Sequence, residues 1–185
     1  MADRRIQKTR MSLHEALMAL VLEMPYADIT VQQVLDRANV GRSTFYTHFQ
    51  DKDELLMWGT EHLKATLAAA ASPDDIVGFS QAMFEHAHGY RKVYRALVNS
   101  PVWPHLRQRI HNIVAEQIRR DSAAALRRLP RSKSKLPAEL FVHYLAATLM
   151  AVLTWWIDHN SSLSAAEIDH VFRGLVQPAI RSVLA

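Results

Sequence analysis

Between Thr30 and Lys52 the chain gathers side chains suited to reading a polyanion. Arg42, Ser43 and Thr44 follow one another directly, and Tyr46, His48 and Lys52 come soon after. An arginine takes a guanine edge or a phosphate through paired N–H groups, and a threonine methyl packs on thymine. Phenol, imidazole and ammonium groups hold phosphate oxygens. Direct readout needs such side chains at the start of a helix in the major groove, pointing away from that helix's own core. Arg42, Ser43 and Thr44 occupy that place, while Tyr46, His48 and Lys52 are the phosphate candidates. Lys52 also falls at a helix start, where backbone N–H groups favour an anion. Thr30 can offer its hydroxyl or a helix-terminal amide to a further phosphate. Arg4, Arg5 and Lys8 could reach a duplex as an arm.

Two short helices must hold these residues. Thr30 can cap the first, with Gln33 completing a capping box. Val31, Val34, Leu35 and Ala38 then recur at helical spacing. Asn39-Val40-Gly41 breaks the pattern, because Asn and Gly tolerate positive φ. A second helix starts at about Arg42, with Phe45 and Phe49 on one face. Two helices joined by such a turn make a helix-turn-helix, whose second helix enters the major groove.

These residues carry a resemblance. Ile29-Thr30-Val31, Ala38-Asn39-Val40-Gly41, Ser43-Thr44-Phe45-Tyr46, His48-Phe49 and Lys52-Asp53-Glu54-Leu55 resemble the DNA-binding domain of the tetracycline-repressor (TetR) family of bacterial transcriptional regulators. That family often has Gly at the position of Asn39 and Ser at that of Gly41. Asn replaces Gly in the left-handed region at small cost. The likeness weakens beyond Leu56. It implies phosphate contacts from Tyr46, His48 and Lys52, a C-terminal four-helix dimer interface and a pocket for a small effector.

The remainder of the 185 residues reads as helix nearly throughout, since only 5 are glycine and 49% are hydrophobic. About nine helices are expected in an all-α fold. A three-helix DNA-binding domain over 1–51 joins an effector-binding and dimerisation domain over 52–185, with the hinge around the fourth helix. A fifth helix is expected over 75–88, a basic loop over 130–137, and a last helix opened by Ser164 and Glu167 as a second capping box. Pro178 should kink that last helix near Gly174.

Charge alone does not locate the DNA. Arg4, Arg5, Lys8, Arg10, Arg37, Arg42 and Lys52 are nearly balanced by Asp3, Glu15, Glu23, Asp28, Asp36 and Asp51. The more basic stretch, 107–135, reads as a solvated face plus a loop, because a helix-turn-helix needs only a few well-placed cations. The absence of cysteine excludes disulfides and suits a reducing cytoplasm. No zincin spacing, phosphate loop or nucleophile elbow occurs, so no catalytic residue, metal or cofactor is expected. The apolar run 140–157 has the length of a membrane span. It contains His143, Thr148 and Thr154, and is read as a buried helix rather than a membrane segment.

The eighth and ninth helices are therefore the expected homodimer surface, with Val176 on it. Large side chains across the C-terminal helices would suit an apolar effector. Phe84, Tyr94, Trp103 and Tyr144 are its candidate lining, with His88 or His143 as a polar handle, though the same residues would also build a plain core. The resulting expectation is a repressor of a palindromic operator, released by a small apolar or amphipathic molecule. A DNA-binding regulator without an effector is the alternative, and a helical enzyme the more distant one.

Overall fold

The computed structural model describes residues 2–72, 74–128 and 137–184, with side chains over 4–72, 74–123 and 137–184. The basic loop expected over 130–137 lies outside the described residues except for Pro137. Nine α-helices and no β-strand occur among the described residues: α1 (Ala2–Val21), α2 (Val31–Ala38), α3 (Arg42–Tyr46), α4 (Lys52–Ala70), α5 (Ser80–Gly89), α6 (Arg91–Leu97), α7 (Trp103–Arg128), α8 (Ala138–Asp158) and α9 (Ala165–Leu184). They form two compact units, 1–62 with 92–107 and 63–91 with 108–185. The chain passes between the units three times: within α4, at the start of α6 and within α7.

In the first unit, Leu13, Ala16, Leu17, Leu20 and Val21 bury one stripe of α1. Pro25 then opens a 3-10 turn over Tyr26–Asp28. Arg37 on α2 grips Glu23 through both guanidinium ends, each at 2.7 Å. The pair is exposed, so it orients α2 rather than supplying much stability.

In the second unit α5, α8 and α9 pack on one another. Phe84 of α5 is fully buried, edge-on to Trp156 and Phe172. Helix α5 opens later than the sequence suggests. Asp75, expected inside it, lies before it and binds Arg173 of α9 at 2.7 Å. Arg173 also binds Asp169 at 2.8 Å and the Val77 carbonyl at 3.1 Å. The Ser80 hydroxyl donates to Asp169 at 2.5 Å. This network satisfies a buried carboxylate that would otherwise be costly. Helix α9 opens with the expected box: Ser164 Oγ accepts from the Glu167 amide at 3.3 Å, and the Glu167 carboxylate accepts from the Ser164 amide at 2.7 Å. The helix continues through Pro178.

Helix α8 is long and apolar enough to cross a membrane. Its residues Phe141, Leu145, Leu149, Leu153 and Trp156 are buried within the second unit. An opposite line, Leu140, Tyr144, Ala147, Ala151 and Trp155, stays exposed. On α9, Val171 and Leu175 are 44% and 56% exposed. Val176 is placed otherwise than expected. It is fully buried with Ile168 and Phe172 in the arc of α9 that faces its own core, and Val171 and Leu175 lie on the adjoining flank of the helix.

Candidate nucleic-acid interface

The capping box at α2 forms as the spacing requires. Thr30 Oγ1 accepts from the Gln33 amide at 3.3 Å, while Gln33 Oε1 accepts from the Thr30 amide at 2.8 Å and from its hydroxyl at 2.9 Å. The polar hydrogens of Thr30 are therefore already engaged. Asn39 closes α2 at φ 51, ψ 48. This is the left-handed conformation that Asn tolerates and most residues avoid. Gly41, extended at φ −70, caps α3 without a side chain.

Helix α3 is only five residues long. It is anchored from beneath rather than by its own hydrogen bonds, since helices this short are marginal alone. Phe45 is fully buried and Phe49 nearly so, their rings 5.8 Å apart. Trp58 of α4 meets Phe49 edge-on at 5.9 Å, and His14 of α1 meets Trp58 at 5.9 Å. The tightest approach is between His14 and Gly59. A Cβ at Gly59 would stand 2.0 Å from His14 Nε2, so only glycine allows this contact. Burial, aided by the neighbouring His62, holds the His14 pKa at about 4. The ring is thus neutral at physiological pH.

Above that aromatic base, Arg42, Ser43, Thr44 and Tyr46 are all exposed. Tyr46 is 53% exposed, with its ring edge-on to Phe45 at 5.3 Å. His48, half-buried, lies 6.3 Å from the Phe49 ring. The fold therefore brings Arg42, Ser43, Thr44 and Tyr46 together on the exposed side of α3, with His48 just beyond its end.

Lys52 is placed differently from those residues. Its ammonium donates to the main-chain carbonyls of Tyr26 and Ile29 at 2.6 Å each and of Ala27 at 3.2 Å. It also lies 4.7 Å from the centre of the Tyr26 ring. An ammonium has three N–H groups, and all three have acceptors here. Next to it, the Tyr26 hydroxyl donates to Asp53 at 2.6 Å. Burial and the Asp53 carboxylate push the Tyr26 phenol well above its ordinary pKa, while burial lowers that of Lys52. Lys52 and Asp53 thus clamp the 3-10 turn to the start of α4 and fix where α2 begins. Sequence spacing missed this role, because the carbonyls lie more than twenty residues upstream.

The six residues expected around an effector divide between the units. Tyr94 and Trp103 meet edge-on at 6.1 Å in the first. In the second, Phe84 is core and His88 is exposed, stacked on Trp156 at 6.0 Å. His143 lies 5.6 Å from the His111 ring, and Tyr144 is 42% exposed.

Comparison with known proteins agrees with this geometry. Residues 13–57 match the family model of the bacterial regulatory proteins of the tetR family, and 74–178 match that of a transcriptional regulator C-terminal region. The chain is 27% identical over 169 residues to the uncharacterised HTH-type transcriptional regulator YxbF of Bacillus subtilis (strain 168). That match covers 86% of this chain and 42% of YxbF, so the chain spans under half the length of that relative. A TetR transcriptional regulator from Streptococcus agalactiae 2603V superposes with a TM-score of 0.65 at 25% identity, covering 95% of this chain and 97% of the other. The dihydroxyacetone kinase operon activator DhaS gives 0.67 at 19%, covering 95% and 96%. NalD, the secondary repressor of the MexAB-OprM multidrug efflux pump in Pseudomonas aeruginosa, gives 0.56 at 18%, covering 96% and 98%. The last two likenesses show the fold alone. With its helix-turn-helix over residues 31–46 and matches in both halves, the chain belongs to the tetR family of bacterial regulatory proteins, a family of DNA-binding transcriptional regulators.

Proposed function

We propose that the protein is a cytoplasmic homodimeric repressor of a palindromic operator in double-stranded DNA, released by a small apolar or amphipathic effector. The observation that carries the DNA half is α3. Arg42, Ser43, Thr44 and Tyr46 are exposed there over a fully buried Phe45. Arg42 and Thr44 read base edges, Ser43 supports that readout, and Tyr46 and His48 hold phosphates. Thr30 contributes through the helix start it caps. Lys52 contributes by holding that start in place.

The dimer reading rests on α8 and α9. A single short recognition helix covers too few base pairs to select a site, and two half-sites one turn apart solve this. The line through Leu140, Tyr144 and Trp155, with Val171 and Leu175 of α9, is an exposed apolar strip, and a second copy of the chain is the occupant we assign to it. Leu175→Glu is the variant to test, since Val176 belongs to the protomer's own core. It should raise the dimer dissociation constant at least about 100-fold, from roughly 3 kcal/mol for an unpaired buried charge. An intact dimer in analytical ultracentrifugation at low micromolar protein would refute the placement.

Effector release is supported by the match over residues 74–178 and by the aromatic content of the second unit. Phe84, His88, His143 and Tyr144 are the candidates there, and Tyr94 and Trp103 in the other unit. Of these, Phe84 reaches a ligand only from an internal space, being sealed by Trp156 and Phe172. The effector must favour the conformation with misplaced recognition helices, because equal affinity for both states shifts nothing. DhaS is described as an activator and NalD as a repressor. The direction of control is therefore tested by reporter expression, which a repressor lowers.

A further inference from the structure

Arg10 of α1 is a charged side chain that the helix-turn-helix does not account for. Its guanidinium carbon lies 5.8 Å from the centre of the Phe49 ring, within the range of a cation–π contact. Among the described residues no carboxylate lies within ion-pair distance of it. Its Nε is enclosed and finds no acceptor. The residue as a whole is half-buried. Phe49 is also the ring beside His48, and through Phe45 it connects to Tyr46. Arg10 therefore shares one aromatic base with the two side chains assigned to phosphates.

We propose that Arg10 is a further DNA contact, a fixed cation that holds a backbone phosphate beside the recognition helix. The geometry suits that task. A guanidinium laid on an aromatic ring keeps its plane, loses less freedom when it binds, and still presents a paired donor edge to an oxyanion. Arg4, Arg5 and Lys8 lie on the same helix and are exposed, whereas Arg10 is half-buried against the Phe49 ring, three residues before the buried Leu13. The nearly balanced charge of residues 1–52 makes each unpaired cation there count for more.

The inference rests on the DNA-binding reading, and the experiment separates the two. Binding to a random-sequence duplex of about 30 base pairs is measured by fluorescence anisotropy between 50 and 200 mM NaCl, for wild type, Arg10→Gln and Arg10→Lys. Counterion release gives a slope of about −0.9 in log K against log salt for each phosphate neutralised. Arg10→Gln should flatten the slope by about 0.9 per protomer, and Arg10→Lys should keep it. An unchanged slope in Arg10→Gln, with the fold intact by circular dichroism, overturns the inference and leaves Arg10 as a packing residue. Should Arg10→Gln fail to fold, Arg10→Met, which keeps an unbranched stem over Phe49, is read the same way. No binding by wild type at 50 mM salt would instead undermine the DNA reading itself.

Discussion

Acidification should weaken the first unit through His14, and the size of the effect follows from its surroundings. The ring is packed on the α4 backbone at Gly59, beside Trp58, and its pKa stands at about 4 against 6.5 for a free histidine. The folded-state pKa is the lower one, so the unfolded chain binds the proton more readily. Stability is therefore complete above about pH 6.5 and falls as the pH drops from there towards 4. Linkage over that interval, at about 1.36 kcal/mol per pH unit, gives roughly 3 kcal/mol in all. Between pH 7 and pH 5 the share is about 2 kcal/mol, close to thirty-fold in the folded-to-unfolded ratio. Urea unfolding at both pH values, for wild type and for His14→Gln, isolates this contribution, because the variant retains every other titrating group. The wild type should lose about 2 kcal/mol more than the variant. Equal losses in the two proteins would show that His14 is not held neutral by its packing.

Two further substitutions probe the same unit. Gly59→Ala drives a Cβ into the His14 ring and should cost roughly 1–3 kcal/mol by overpacking. Combining it with His14→Ala should cost less than the two single losses added together in thermal denaturation, and simple additivity would mean the residues do not touch. Lys52→Met removes three ammonium–carbonyl bonds and should lower stability by about 2 kcal/mol while leaving the salt slope of DNA binding unchanged. A flatter slope with normal stability would return Lys52 to the phosphate contacts.

Lys52 also marks the limit of what the sequence discloses. The helix-turn-helix is legible because its signals are local: the Thr30–Gln33 box, the left-handed Asn39 and the Phe45–Phe49 pair all lie within a few residues of their partners. The same holds for the box of Ser164 and Glu167 that opens α9. Lys52, in contrast, is occupied by carbonyls at 26–29, and its motif position shows only that a cation is present. Arg173 is similar, since its partner Asp75 lies 98 residues away and reads locally as helix. In α9 the period of 3.6 reveals an apolar stripe. It cannot separate the arc of Ile168, Phe172 and Val176, which fills the protomer, from that of Val171 and Leu175, which is left outside. Residue type alone does not distinguish a sealed Phe84 from an exposed His88 among the effector candidates.

The central claim is that α3 reads DNA as one of a symmetric pair. Selection of bound sequences from random duplex DNA by the purified protein tests it most directly. The account expects a palindromic motif with half-sites about one turn, 34–36 Å, apart, whose information falls away in Arg42→Ala at positions common to both half-sites. Enrichment of nothing at moderate salt, or of a motif that Arg42→Ala and Thr44→Ala leave unaltered, would contradict it.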